Sequence, residues 1–363
     1  MTDPIVRTDH SNGRFATIAG TATAVPLHVL TRDDVKTYMR KVFDVGERRL
    51  DAIMSVIDNA QVHTRRSIFP VEYIVEQRPL ARVSLEYQEH AVRLGHQAAE
   101  TCLKNADMVP GDIDMIITVS CTGFMIPSLD AHLINLMGFR PDVRRMPLTE
   151  LGCAAGAMAL SRAWEFLRAF PDKTVLIVSV ELATLTFQRG DISQANLISC
   201  VLFGDGAAAA VVTGRPSAGP RILDADTYTF PQSLDAMGFD LRDTGFHIVL
   251  SKDVPQMIRE KIKGIVDRFL DRSGLTRDAI GAFILHPGGQ KLLSYIEEQL
   301  ELHRSDTRFS WDVLGEYGNL SSATIFFILH ECLTKQNVNA GMYGLAAAFG
   351  PGFSAEMLLL QWP

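Results

Sequence analysis

The chain has 363 residues, 47% of them hydrophobic and 21% charged, which is enough apolar side chain for a large core and excludes wholesale disorder. Its 35 basic and 42 acidic residues leave a net charge of −7, which argues against a nucleic-acid partner but allows a local basic patch for a phosphate. Five scattered cysteines without CxxC or Cys/His spacing argue against a disulfide scaffold or a structural metal site.

In chain order, residues 1–14 (MTDPIVRTDHSNGR) read as a loose polar arm without the apolar stretch of a secretory signal. Residues 84–106 predict a helix leading into a strand at 115–120. A helix at 154–169 and strands at 174–180 (TVLIVSV) and 207–213 follow. The Pro/Gly/Ser-rich stretch TGRPSAGPR at 213–221 reads as a boundary. Beyond it come a helix at 252–273, with Ile258, Ile262, Ile265, Val266 and Phe269 at helical spacing, a strand at 282–285 and a helix at 320–335. The strands are continuous apolar runs, which predicts burial on both faces. No run reaches the ~18 apolar residues of a membrane span, so a cytoplasmic globular protein is expected.

The order of elements repeats. GDIDMIITVSCTG at 111–123 matches RDAIGAFILHPGG at 277–289, and ELGCAAGAMAL from Glu150 matches EYGNLSSATIF from Glu316, both at an offset of 166. LFGDGAAAAVV from Leu202 and AFGPGFSAEML from Ala348 match at an offset of 146, so the second copy is shorter between its last two elements. Two segments in one register, followed by a third in the same order, predict a duplication. The expected halves are 1–217 and 218–363, each alternating β and α, in a layered α/β architecture with two sheets.

Three residues stand out chemically. Cys153 lies at the start of the helix at 154–169, where free N–H groups and the positive dipole end are expected to lower its pKa. Cys102, Cys200 and Cys332 sit in helical or apolar surroundings and read as packing. A nucleophilic thiol needs a base or cationic partner. Of ten histidines, His286 follows the apolar run AFIL and precedes Pro287-Gly288-Gly289, a strand end at a Gly-rich turn. His10, His28, His90, His96, His132, His303 and His330 read as surface or capping residues, and His63 and His247 are ambiguous. Asn319 occupies in the second copy the place of Cys153 in the first. Approximate two-fold symmetry should bring the two helix starts together, so that Asn319 and Cys153 face one cavity. There Asn319 is either a plain helix cap or a neutral donor for a developing oxyanion.

ELGCAAG, LFGDGAAA, ILHPGG, GNLSSA and AFGPGF, in this order and spacing, resemble the type III polyketide synthases, the chalcone-synthase-like branch of the thiolase-fold condensing enzymes. The CTGFMIPSL loop at 121–129 resembles bacterial members more than plant ones. The resemblance implies a thiolase-like, duplicated αβαβα layered fold. It implies iterative decarboxylative condensation of malonyl-CoA onto an acyl-CoA starter, with cyclisation to a pyrone or a phenolic product of resorcinol, phloroglucinol or naphthalene type. By the same resemblance Cys153 is the acyl-carrying nucleophile, His286 and Asn319 bind the thioester carbonyl, and Phe203 is the aromatic gate between tunnel and cavity. Cys121, Thr122, Ala183, Thr186, Phe239, Ile248 and Ser321 are implied cavity residues, and Cys121 is either a second functional thiol or packing. No cofactor or metal is implied. The family's homodimers imply that Ile126 crosses into a partner's cavity. For the CoA phosphates Arg65 and Arg66 are the expected cations, with the Gly288–Gly289 backbone near the pantetheine arm. The competing readings are a ketoacyl synthase of fatty-acid initiation, a Cys-dependent acyl-CoA thioesterase and a non-enzymatic CoA-binding protein.

Overall fold

In a computed structural model, which describes residues 15–43, 45–335 and 339–363, two apolar runs form neighbouring strands inside a sheet. The arm expected at 1–14, with His10, lies outside the described residues. Thr174–Leu182 and Asp205–Thr213 are buried at every position, as strands covered on both faces must be. They belong to a five-strand order Arg144–Leu148, Met115–Val119, Thr174–Leu182, Asp205–Thr213, Ala16–Ala24. From Met115–Val119 onward the pairings are parallel, antiparallel and antiparallel. Ile280–Leu285, Tyr343–Gly350, Ser354–Gln361 and Arg221–Thr229 stand in the corresponding order with the same three senses.

The two sheets expected from the sequence are joined into one of nine strands. Ala16 and Thr17 pair with Ile222 and Arg221, so the first strand bridges the halves at its start. An open strand edge is a ready template for pairing, and this one is satisfied within the chain. The shorter spacing of the second copy also has a structural source. Between Thr174–Leu182 and Asp205–Thr213 the first copy carries a 3₁₀ turn and the helix Gln194–Leu202. In the second copy Tyr343–Gly350 turns directly into Ser354–Gln361. Phe203 therefore follows a helix, whereas Phe349 lies on a strand.

Side chains on alternate faces of the sheet sort into three apolar layers. Ile117, Ala210, Ile284 and Leu358 pack with helices Ala155–Ala169 and Thr324–Lys335 in the centre. Ile116, Val178 and Ala209 pack with Leu80–Asn105 and Leu129–Met137 on one outer side. Phe283, Leu345 and Met357 pack with Val254–Asp271 and Gln290–Leu300 on the other. The layering is αβαβα. The two central helices nearly touch. A Cβ on Gly156 would stand 2.2 Å from the Ser322 carbonyl oxygen, so glycine is what lets the helix starts approach.

Candidate active site

Each central helix begins with a 3₁₀ turn, Gly152–Ala154 in the first copy and Ser321–Ala323 in the second. Cys153 sits in the first turn. Gly152 has φ +50°, and a Cβ there would come 2.5 Å from Pro351 Cδ. The AFGPGF hairpin thus presses on the turn that presents the thiol. Asn319 precedes the second turn and caps it, its Oδ1 accepting from Ser321 N at 2.7 Å. That bond fixes the amide orientation and leaves Nδ2 as the donor, which reaches the Gly288 carbonyl at 3.3 Å. Cys153 Sγ lies 4.0 Å from Asn319 Oδ1 and 3.5 Å from Ser321 Oγ.

Cys153, His286, Asn319 and Phe203 line one cavity of about 500 Å³. His286 stands just past the end of strand Ile280–Leu285, its backbone N donating to Ala347 O at 2.9 Å. Its ring is buried, and neither ring nitrogen finds a hydrogen-bond partner among the described residues. Phe203 and Asn319 form a parallel backbone bridge, with Asn319 N on Leu202 O at 2.9 Å and Gly204 N on Asn319 O at 3.1 Å. Cys121, Thr122, Ser321, Ala183 and Thr186 line the same cavity. Phe239 and Ile248, from the hairpin Met237–Arg242 and Gly245–Leu250, close another side, and Gly288 and Gly289 line it as well. Ile126 does not line this cavity and is 81% exposed.

One electrostatic expectation is corrected and another is narrowed. Burial pushes the Cys153 thiol up to about 11, with the Ser321 and Asn319 contacts acting downward and the Glu181 carboxylate upward. A helix dipole contributes about 0.3–1 kcal/mol, under one pK unit, and cannot overcome that burial by itself. Burial also pushes His286 down to about 3, so of the base or cationic partner sought for the thiol it is, in the substrate-free protein, a neutral imidazole and not a cation.

The phosphate-binding role expected for Arg65 and Arg66 does not fit either. Arg65 is 5% exposed and donates from Nη1 to the Phe203 carbonyl at 2.8 Å. Arg66 pairs with Glu316 at 3.7 Å and lies 5.8 Å from the Tyr317 ring centroid, outside the cavity lining. The basic groups on the cavity wall are instead Lys252 and Lys291, both exposed. The helix Glu47–Asn59 adds Ser55 and Asn59 to the lining.

Sequence reasoning also missed Glu181, the charge that ends the run TVLIVSV. It is fully buried, and it accepts from Thr122 Oγ1 at 2.7 Å, Cys121 N at 3.1 Å and Ser322 Oγ. Burial holds its carboxyl above the usual range. Cys121 Sγ lies 3.5 Å from Glu181 Oε1 and 3.3 Å from Ser321 Oγ, and burial raises this thiol well above its ordinary value. A lone carboxylate closing an apolar strand was the available signal. His63 and His247, left ambiguous, are bound elsewhere, to Arg32 at 2.8 Å and to Thr244 at 2.7 Å. Cys102 and Cys332 are buried packing residues. Among the described residues no cluster of His, Cys, Asp or Glu is arranged to hold a metal, and no helix is long and apolar enough to cross a membrane.

Comparison with known proteins agrees with this fold. The N-terminal domain of chalcone and stilbene synthases matches residues 4–216, and their C-terminal domain matches residues 222–362. The chain is 36% identical over 348 residues to 1,3,6,8-tetrahydroxynaphthalene synthase of Streptomyces griseus, covering 96% of this chain and 93% of that protein. It is 34% identical over 339 residues to phloroglucinol synthase of Pseudomonas fluorescens, covering 93% and 96%. The crystal structure of tetrahydroxynaphthalene synthase from Streptomyces coelicolor, a bacterial type III polyketide synthase, superposes with a TM-score of 0.93 at 36% identity, covering 96% and 99%. With the family matched over both halves and the cavity built from both, the chain belongs to the chalcone and stilbene synthases, the type III polyketide synthases.

Proposed function

We propose that Cys153 carries the growing acyl chain, that His286 and Asn319 receive the enolate oxygen formed when malonyl-CoA loses CO2, and that Phe203 shapes the site where the malonyl carboxylate is lost. The observation that carries this reading is the meeting of groups from both halves in one cavity, with Cys153 Sγ 4.0 Å from Asn319 Oδ1. A thiol held near 11 needs a base, and the neutral His286 supplies an unoccupied ring nitrogen. In loading, Cys153 attacks the acyl-CoA carbonyl, its proton passes through His286 to the departing CoA thiol, and the C–S bond to CoA breaks. In extension, the carboxylate C–C bond of malonyl-CoA breaks, CO2 leaves, and the electron pair becomes a thioester enolate. Asn319 Nδ2 and a His286 N–H donate to that enolate oxygen, and loss of one such donor costs about 10²–10³ in kcat in other enzymes. The enolate carbon then attacks the Cys153 thioester, the C–S bond to Cys153 breaks, and the lengthened chain is left as a CoA thioester. The freed thiolate attacks that thioester for the next round, its C–S bond to CoA breaks, and CoA leaves as the thiol after taking up a proton.

This chemistry needs no metal or electron-sink cofactor, because the thioester carbonyl itself takes the electron pair. Lys252 and Lys291 are the cations we assign to the CoA phosphates. They satisfy the demand for a basic entrance on a chain of net charge −7. Cyclisation in a cavity walled by Phe239, Ile248 and Ala183 gives a pyrone or phenolic product. A homodimer is the functional unit in this reading. Ile126 is 81% and Phe124 60% exposed on one loop, apolar surface suited to a partner subunit's cavity wall.

The test is incubation of purified protein with a panel of acyl-CoAs and labelled malonyl-CoA, with products read by mass spectrometry. Condensed pyrones or phenols are expected, and Cys153→Ala should abolish them while CoA binding survives. Free acid alone would replace condensation by hydrolysis. Product from Cys153→Ala would remove the nucleophile assignment.

A further inference from the structure

Arg65 is a buried cation that the roles above leave unused, and its surroundings are specific. It lies on the short strand Thr64–Ser67, opposite Leu30. Its guanidinium reaches the Phe203 carbonyl at 2.8 Å, and its stem runs through space kept open by two glycines. A Cβ on Gly204 would stand 3.3 Å from Arg65 Cβ, and one on Gly318 would stand 3.0 Å from Arg65 Cγ. Gly204 directly follows Phe203, and Gly318 directly precedes Asn319. The side chain therefore threads the crook where the two backbone bridge partners meet, Phe203 from the first half and Asn319 from the second.

The charge is provided for. Asp205, the next residue after Gly204, is fully buried and accepts from Ile68 N at 2.9 Å, Thr184 N at 2.8 Å and Thr184 Oγ1 at 2.5 Å. Its field and that of Arg65 stabilise one another. Burying a cation is costly, and a well-packed apolar residue often serves stability as well. An arginine in this place is explained by what its fork holds: a backbone carbonyl that the bridge leaves without a partner.

We propose that Arg65 is a positioning residue for malonyl decarboxylation, bracing the Phe203–Asn319 bridge so that the aromatic gate and the amide donor keep one geometry. The inference rests on the roles assigned to Phe203 and Asn319. Loading of Cys153 draws on Cys153 and His286, on segments that Arg65 does not touch. Arg65 therefore acts on one half-reaction and not the other.

The experiment measures both halves separately in Arg65→Met and Arg65→Lys. Acyl loading is read by intact mass, and decarboxylation by CO2 release from malonyl-CoA, with folding checked by circular dichroism. Arg65→Met should lose about ten- to a hundredfold in the kcat of decarboxylation, the scale of a small misplacement near the chemistry, with KM and loading within about twofold. Arg65→Lys, which keeps charge and one donor, should recover most of that loss. If the methionine variant does not fold, the lysine variant decides, with a roughly threefold loss confined to decarboxylation. In an Asn319→Ala background Arg65→Met should add little. Wild-type decarboxylation in a folded Arg65→Met, equal losses in both half-reactions, or full additivity with Asn319→Ala would overturn the proposal. A crystal structure of Arg65→Met separates it from the reading beneath it. Unmoved Phe203 and Asn319 overturn the bracing, whereas undiminished decarboxylation in Asn319→Ala alone overturns the assigned role of the amide.

Discussion

Replacing Gly156 by alanine tests whether the close approach of the central helices sets the active-site geometry. The added Cβ would stand 2.2 Å from Ser322 O, 2.7 Å from Ile325 Cγ2 and 3.2 Å from Phe326 Cε2. Packed carbon atoms rest about 3.5–4.0 Å apart, so the helices must part by roughly 1 Å. The first obstacle is backbone, not the tip of a flexible side chain. Overpacking of this kind costs about 1–3 kcal/mol. With an unfolding entropy of about 2.1 cal/mol/K per residue, that lowers the melting temperature of a 363-residue chain by roughly 1–4 °C. The same parting separates Cys153, three residues before Gly156, from Asn319 and Ser321, now 4.0 and 3.5 Å from its sulfur. Condensation should fall by about tenfold or more. Gly264→Ala is the matched control. That glycine is exposed inside helix Val254–Asp271, and nothing lies within 4 Å of the new Cβ. It should stabilise by about 0.5–1 kcal/mol and leave activity unchanged. Calorimetry and product formation on both variants decide the matter. A Gly156→Ala protein that melts with the wild type and condenses at its rate would refute the argument.

Three further outcomes are expected. Lys252→Glu and Lys291→Glu should each raise KM for CoA thioesters by roughly fivefold without changing kcat, and leave a malonyl thioester lacking the nucleotide unaffected; parallel changes with both thioesters would remove the phosphate assignment. In His286→Ala, iodoacetamide labelling of Cys153 should slow at pH 7, because a thiol that burial holds up to about 11 has lost its base; equal labelling rates in the two proteins would show that His286 does not activate it. Glu356, buried with Thr227 Oγ1 on one oxygen and the other without a partner among the described residues, is held up to about 7 by burial. A raised carboxyl contributes stability that is present below about pH 4.5 and lost as pH rises through about 7. Glu356→Gln should therefore narrow the difference in melting temperature between pH 5 and pH 8, and an unchanged difference would place the linkage elsewhere.

The parts of the molecule legible in the sequence are those whose local chemistry agrees with their burial. Thr174–Leu182 is rich in β-branched residues and reads as a strand on any scale. Tyr343–Gly350 (YGLAAAFG) and Ala16–Ala24 (ATIAGTATA) are also sheet strands but are rich in alanine and glycine, which carry no such preference. Packing between layers holds them extended, and packing is not a local property. The same distinction runs through the site. A thiol at a helix start suggests activation, but the burial that raises it comes from elements hundreds of residues apart. Arg65 has the residue type of a phosphate ligand, and only the glycines at 204 and 318 show that its side chain runs inward. Lys252 and Lys291 look like ordinary solvated lysines until both are seen to line the cavity.

The repeat carries more about the site than any single motif does. A motif places one residue on one element, whereas an internal symmetry says which two elements meet. An offset of 166 residues sets Asn319 against Cys153, and the structure places them 4.0 Å apart across the two central helix starts. The symmetry is informative also where it breaks. At the matched helix starts one copy has a nucleophile and the other an amide donor, a pairing that two identical residues could not provide. The segment Ala183–Leu202, absent between the matching strands of the second copy, is what delivers Phe203 to the cavity and to its bridge with Asn319. The conserved plan of the two copies builds the walls, and the departures from it supply the chemistry. On this argument a substitution that restores likeness between the copies, such as Asn319→Cys, should keep the fold and lose condensation. Wild-type condensation by that variant, measured as product per folded protein, would mean that the asymmetry has no part in the reaction.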